Sequence, residues 1–573
     1  MSGLFSIFNI STRGMSTQQK AIHVTSHNIS NANTEGYSRQ RATIETTRPF
    51  GMPSLNNAVG PGQLGTGSQV SAIQRVRDTF LDYQIRTETS RYGQFAGKNQ
   101  FLSEIESIIN EPSETGISSL VGKFFDSWQT LSKDPQSSNT RTIVAQQSAT
   151  LADALNHTSN QLEKLKTNVN QVINNTVFEV NDILDQIDQL NQQIIGVSVT
   201  GQRPNDLMDR RDTLVETLST KFNLDKTNMR FDGYDIKQED VVIPPSPTNI
   251  PYLIKSKDNE EVCRLSYVKD IKDNGAGSYT ITYSMLGDTS SKDVTENVIL
   301  NPTEYESLSK SRVVWANTDG QMIMNGTKPV IFAPKDGELF GYAEVQKDIE
   351  SYENQLDQLA KALAFSVNAV HSGKTNASAD TDPFFINGDP TSTTGEAGIK
   401  ASNIKINQKY IDNVMLIKAK FDDSYGDNDG RRALAIGQLR DKLINIQNIG
   451  VGTNGIYTRD DMFNPTKGGN TYTEDIPNGV IEFGSSGKGM KVDNYFKDII
   501  ARLGVQRGEA KRMVTNQETL LASFQETREG ISGVSLDEEM ANLIQYQHAY
   551  QANAKVVSTV DELLDVVING LKR

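Results

Sequence analysis

A chain of 573 residues, 36% hydrophobic and 7% aromatic, is long enough for more than one core, and its net charge of −14 excludes nonspecific association with nucleic acid. The single cysteine, Cys263, rules out an internal disulfide and a cysteine-based metal cluster. No stretch approaches the roughly 18 uninterrupted apolar residues of a membrane span, and the opening residues read as lacking a cleavable secretory leader.

The first thirty residues predict an amphipathic helix. Phe8, Met15, Ile22 and Ile29 fall at intervals of seven, with Leu4 and Phe5 ahead of them. Asn28 and the Asn- and Gly-containing run to Gly36 predict its end and a turn, which continues to Arg41. Ala42, Ile44 and Thr46, then Val70, Ala72, Ile73 and Val76, predict two short strands around a Pro- and Gly-rich loop. That loop holds a G-x-G-x-x-G match at 60–65, but Pro61 and Gly67 deny it the strand–turn–helix setting of a nucleotide site, so it reads as a hairpin loop. Helices are expected over 78–111 and 117–132, the second with Leu120, Phe124, Trp128 and Leu131 on one face. At that spacing Trp128 reads as core.

The longest interior helix is expected over 140–195, where Leu155, Leu162, Val169, Thr176, Ile183 and Leu190 recur every seven residues beside Ile173, Val180, Ile187 and Ile194. A return helix follows over 205–222. From 228 to 334 short branched and aromatic runs, 241–243, 279–283, 298–300 and 313–315, predict an inserted β domain in which Cys263 and Trp315 are buried. Residues 337–372 return to helix, with Leu356, Leu359, Leu363, Val367 and Val370 on one face as the partner for 140–195. Residues 373–491 are mixed, with a loop opening at 383–385, a strand at 401–407 and a helix at 431–443. The acidic run before Gly430 fails as a calcium loop because the register would put Tyr425 and Ile436 at ligand positions, so it reads as a helix-capping turn. A helix over 493–530 leads through Gly530 and Gly533, a candidate hinge, into the terminal stretch 536–573.

That terminal stretch carries Leu536, Leu543, Tyr550, Val557, Leu564 and Leu571 every seven residues, with Met540, Gln547, Ala554, Asp561 and Ile568 on the alternate seam. The fold class expected is α+β multidomain, a long helical coiled-coil bundle built from both chain ends with inserted β-rich domains. The boundaries are 1–35 with 536–573 for the terminal coiled coil; 36–227 with 337–372 and 492–535 for a helical bundle; 228–336 for the β-rich insert; and 373–491 for a mixed outer segment.

No catalytic constellation, cofactor site or metal site is expected. His23 and His27 are four apart on a helix but have no acidic neighbour in their segment, and there is no H-E-x-x-H, G-x-S-x-G or P-loop. The chain reads as a non-enzyme.

Leu4, Met15 with Gln18 and Gln19, and the turn at 28–37 resemble the N-terminal signature of flagellar axial proteins of the rod, hook and hook-associated kind. The run 535–565 resembles the matching C-terminal signature. Residues 206–214 and 341–371 resemble the hook-associated junction family, the FlgK kind; the second of these blocks is absent from hook and rod proteins. The resemblance implies a structural protein of the bacterial flagellum, located outside the cell at the hook–filament junction. It implies self-association into a ring, contact with hook protein and with a second junction protein, and signal-independent export through the type III apparatus with a flagellar export chaperone. The assembly interface would comprise Leu4, Phe8, Met15, Ile22, Ile29, Leu536, Met540, Leu543, Tyr550, Val557 and Leu564. Without neighbours both ends are expected to be disordered or marginally helical. The alternatives are a hook or distal rod protein, or an exported adhesin or enzyme carried on axial-protein ends.

Overall fold

The computed structural model describes all residues except 1, 49–64, 110–112, 115, 240–251, 257–261, 291, 390–394, 453–454, 476 and 571–573. In chain order the elements are α1 (Ser2–Ser30), β1 (Gln40–Thr46), β2 (Ser68–Arg75), α2 (Thr79–Ile109), α3 (Ile117–Lys133), α4 (Ser138–Val199), α5 (Asn205–Lys221), β3 (Leu224–Asn228), β4 (Tyr234–Gln238), β5 (Tyr252–Ile254), β6 (Arg264–Gly275), β7 (Ser278–Ser284), β8 (Val294–Ile299), α6 (Pro302–Ser311) and β9 (Val313–Ala316). They continue with β10 (Met324–Asn325), β11 (Lys328–Pro329), α7 (Glu338–Ser372), β12 (Phe385–Asn387), β13 (Ile404–Ile406), α8 (Gln408–Asp412), α9 (Arg431–Gln438), α10 (Arg459–Met462), β14 (Thr471–Asp475), β15 (Val480–Gly484), α11 (Val492–Ser532) and α12 (Leu536–Asn569). The chain forms two compact units, one of Met1–Gln94, Asn175–Phe340 and Thr515–Arg573, the other of Phe95–Asn174 and Gly341–Val514.

The first unit holds both chain ends. α1 and α12 run antiparallel: Asn28 meets Glu539, and a Cβ on Gly14 would sit 2.7 Å from Asn553 Oδ1. On α1 the buried positions are Ser11, Gly14, Thr17, Ala21, Val24, Thr25 and Asn28. On α12 only Glu539 and Val560 are buried. Small and polar residues therefore make the close contact, one position before the apolar heptad read from the sequence. The hairpin β1–β2 covers another side of α1, where Thr17 Oγ1 donates to Ser68 O at 2.9 Å and Arg13 Nη1 to Thr66 O at 3.1 Å. Its pairing slips between Thr43 and Ile44. Both ends are helical in the single chain, against the expectation of disorder, because each covers part of the other and both are pinned at one end by the contacts described below. The G-x-G-x-x-G match lies outside the described residues apart from Gly65.

The same unit carries a four-stranded antiparallel sheet, order β8-β7-β6-β9. Its core is Val268, Ile281, Tyr283, Val298, Leu300, Leu308 and Val314. The sequence reading missed α6, which starts at a capping box: Asn301 Oδ1 accepts the Glu304 amide and Glu304 returns the bond to the Asn301 amide, each at 2.8 Å, with Pro302 in the first turn. Trp315 is buried as expected, whereas Cys263 is only half-buried and its thiol is pushed up to about 11 by burial, against the nearby Arg264. Asn181 of α4 ties the sheet to that helix, donating to Leu265 O and accepting the Leu265 amide. The strand read at 241–243 lies outside the described residues.

The second unit is built on α3 and the parts of α4, α7 and α11 within it. Leu155, Leu162, Val169 and Ile173 of α4 and Leu356, Leu359, Leu363, Val367 and Val370 of α7 are all buried. The helices are antiparallel: Gln346 Nε2 donates to Asn170 Oδ1 at 3.0 Å, while Lys166 Nζ donates to Glu353 Oε2 at 3.3 Å. Trp128 packs edge-on against Phe124, Phe384 and the buried His371. The strand expected at 401–407 shortens to β13, which pairs with β12, and the helix expected at 431–443 stops at Gln438. No aspartate caps that helix. Gly430 is the N-cap, and Asp429 before it accepts the amides of Phe421 at 2.7 Å and Arg431 at 3.1 Å.

Candidate assembly site

Of the residues assigned to the assembly interface, none is buried within the single chain. Leu4, Phe8, Met15, Ile22, Ile29, Leu543, Val557 and Leu564 are half-buried along the edges of the α1–α12 contact. Leu536, Met540 and Tyr550 are exposed, at 48%, 55% and 37%. The structure adds residues that the assigned interface leaves out. Ile544, Val556, Leu563, Val566 and Ile568 on α12, and Phe5 and Ile7 on α1, are exposed as well. Leu536, Met540 and Ile544 follow one another at intervals of four, so they line one outward face of α12. The inner contact of this helix pair is therefore small and polar, and its outward faces carry exposed apolar residues interspersed with charged ones.

At the end of the pair where α12 begins, side chains from distant parts of the sequence form one polar cluster. Asn28 uses its whole amide. Its Oδ1 accepts the Tyr37 hydroxyl at 2.8 Å and the Gln40 amide at 3.0 Å, while its Nδ2 donates to Gln40 O at 2.9 Å and Glu539 Oε2 at 3.2 Å. Arg39 donates through Nε to Glu539 Oε1 at 2.8 Å and through Nη1 to Glu538 Oε2 at 2.9 Å. Ser38 donates its amide and hydroxyl to Asp209 of α5 at 3.0 and 2.8 Å. Gln40 Nε2 donates to Asp206 at 2.8 Å. His27 Nδ1 lies 2.9 Å from the Tyr37 hydroxyl.

Beneath this layer Arg75 binds Asp209 and Asp212 at 2.7 and 2.9 Å, and Arg77 binds Asp82 and Asp212 at 2.6 and 3.0 Å. The Tyr234 hydroxyl donates to Asp212 at 2.7 Å, and the Arg211 guanidinium lies 3.3 Å over the Tyr234 ring. Burial alone would raise the Asp212 carboxyl, but Arg77 and Arg75, with help from Lys226 and Arg211, hold it down to about 2. Burial lowers Lys226 to about 8, although Asp212 opposes it. The same burial, reinforced by Asp206, Asp209 and Glu539, keeps the Tyr37 phenol protonated. Gly36 has φ +77 and its Cβ position is 2.3 Å from Thr213 Oγ1, so the turn sits against α5 where no side chain fits.

Among the described residues no group of three or more His, Cys, Asp or Glu is arranged to hold a metal ion. No described helix is long and apolar enough to cross a membrane.

The stretches that meet here coincide with three family matches. Residues 8–37 match the profile described as flagella basal body rod protein, and residues 530–570 match the flagellar basal body rod FlgEFG protein C-terminal profile. Residues 102–241, which include α5, match the flagellar hook-associated protein FlgK helical domain. Over its full length the chain is 31% identical to flagellar hook-associated protein 1 of Bacillus subtilis, covering 99% of that protein. It is 24% identical to the protein of the same name from Salmonella typhimurium, with 98% of this chain and 99% of that one aligned. In fold it resembles the flagellar hook junction protein FlgK from Burkholderia pseudomallei, with a TM-score of 0.50 at 12% identity over 78% of this chain and all of that one.

Proposed function

The chain belongs to the flagellar hook-associated protein 1 (FlgK) family, and from that premise we propose that it is a structural subunit of the hook–filament junction that assembles through the outward faces of α1 and α12. The observation that carries the reading is the apolar surface these helices leave open, with Met540 at 55%, Ile544 at 53% and Val566 at 67% exposure. Single exposed aliphatic residues are ordinary on a soluble protein, but a run of them on one helix face marks an interaction surface.

Sister copies cover this surface in a ring, with hook protein on one side and a second junction protein on the other. Residues 1–35 and 536–573 are the assembling part, and the β-rich segment 228–336 and the segment 373–491 face outward. The chain acts outside the cell, leaving through the type III apparatus while an export chaperone holds its C-terminal region. Its role is mechanical, not enzymatic. The match of 102–241 to a FlgK helical domain favours this reading over a hook or distal rod protein.

The test is incorporation at isolated hooks, read by electron microscopy. The parent protein is expected to decorate hook tips. Met540→Glu with Ile544→Glu, and separately Leu543→Glu with Val557→Glu, are expected to abolish decoration with the far-ultraviolet dichroism retained. Undiminished decoration by both double variants would overturn the proposal.

A further inference from the structure

Between α11 and α12 the helix is interrupted for three residues, Gly533, Val534 and Ser535. Little apolar packing holds the start of α12: over its first twenty residues Glu539 is the only buried side chain, at 2% exposure, and it is a carboxylate. Arg39 reaches both sides of the break. Its backbone amide donates to the carbonyl of Ser532, the last residue of α11, at 2.9 Å. Its guanidinium binds Glu538 and Glu539 in the first turn of α12 at 2.9 and 2.8 Å. The side chain of Arg39 is three-quarters buried and that of Glu539 almost wholly so, so the pair is little screened by salt. Beside the break lies an open cleft of about 780 Å³, lined among others by Gly36, Arg39, Arg528, Glu529, Val534 and Glu538. The hydroxyl of Ser532, 6% exposed, has no partner, so that side chain adds no hold of its own.

We propose that Arg39 and Glu539 form a hinge pin that fixes the direction in which α12, and with it the α1–α12 pair, leaves the end of α11. With the pin in place the three-residue break is held from both sides. With it removed, the Arg39 amide still holds the end of α11 at Ser532 O, but the start of α12 keeps only the Asn28–Glu539 bond and the local Ser535 cap, whose Oγ accepts the Glu538 amide. The helices then stay formed while the angle between them spreads. The pin acts through position alone and does not rest on the assembly reading, so a failure to join hooks would leave it standing.

The test measures spin-label distances across the break in the full chain. Labels are placed at the exposed positions Ala522 of α11 and Gln551 of α12, with Cys263→Ser as background. A single narrow distance is expected for the parent. Arg39→Ala and Glu539→Gln are each expected to broaden it at least twofold with helix content unchanged. Arg528→Ala removes a different ion pair from the same cleft, Arg528 with Glu216, and is expected to leave the distance narrow. If Arg39→Ala fails to fold, Glu539→Gln carries the test, since it is isosteric and keeps an oxygen for Asn28. A narrow distance in the folded pin variants, or equal broadening in Arg528→Ala, would overturn the proposal.

Discussion

Asn28 and Glu539 are 511 positions apart in sequence and share a buried hydrogen bond of 3.2 Å. The bond completes an amide already used by Tyr37 and by both backbone groups of Gln40. Asn28→Ala would strand the Gln40 amide and carbonyl and one oxygen of a buried carboxylate, and would leave the Tyr37 hydroxyl with His27 in place of Asn28. The expected loss is roughly 2–4 kcal/mol, since orphaned buried polar groups cost more than the net worth of one bond. Denaturant unfolding followed by dichroism checks it, and a loss below 1 kcal/mol would show that water takes over the Asn28 contacts.

Gly36→Ala is expected to destabilise by about 2 kcal/mol or more, from the left-handed backbone and from the Cβ contact with Thr213 Oγ1 at 2.3 Å. The two causes separate in a double variant. Adding Thr213→Ala removes the hydroxyl that the new methyl would strike, although the Thr213 Cβ at 3.5 Å remains. Part of the loss should return, and the part that does not measures the backbone term.

Acid sensitivity of the first unit should centre on Asp212. Its folded carboxyl lies at about 2, below the ordinary 3.8, so its contribution is present above pH 4 and disappears as pH falls from 4 towards 2. The amount at neutral pH is on the order of 2 kcal/mol. Asp212→Asn should lower stability at pH 7 and flatten its fall below pH 4. An unchanged acid limb in pH-dependent unfolding would assign that sensitivity elsewhere.

The second unit contains a group of opposite sign. Burial raises the Glu353 carboxyl to about 7, against Lys166, with Glu163 adding to the rise. A folded value above the ordinary 4.5 means that the unfolded chain gives up its proton first, so stability drops as pH rises from 4.5 to 7. Glu353→Gln should remove that slope and leave the unit more stable at pH 7 than the parent. Hydrogen exchange in α7 between pH 5 and 7.5 reads it directly, and a slope that survives the substitution would contradict the assignment.

Much of the helical frame was legible because it rests on large apolar residues at regular spacing. Every position of the α4 stripes, from Leu155 to Ile194, is buried, and so is the α7 face from Leu356 to Val370. The α1–α12 contact was legible as a pairing but not in register. A seven-residue reading weights Phe8, Met15 and Leu536, whereas the close approach is made by Gly14, Ala21 and Asn28 against Asn553 and Glu539, which score as neutral or polar. The apolar residues were thereby left to face outward. α6 escaped because only Leu308 of its ten residues is buried, although the Asn301–Glu304 box with Pro302 was a local signal for its start. The polar cluster left little local trace. The stretches 28–41, 206–214 and 535–565 stood out as family signatures, but no periodicity says that Ser38 meets Asp209 or that Arg39 meets Glu539. Those partners are fixed by tertiary folding alone.

The antiparallel course of α1 and α12 has an outcome for handling the protein. Asn28 lies beside Glu539 and Gly14 beside Asn553, so the same register carries the start of α1 towards Leu564 and brings the first turn of α1 and the last turns of α12 to a common tip. Fluorophores on the first turn of α1 and the last turn of α12 would crowd the same spot, while a short Gly/Ser bridge joining these two helix ends should be tolerated. New termini opened in an exposed loop of the β-rich insert would give a circularly permuted chain in which α12 and α1 are made one directly after the other.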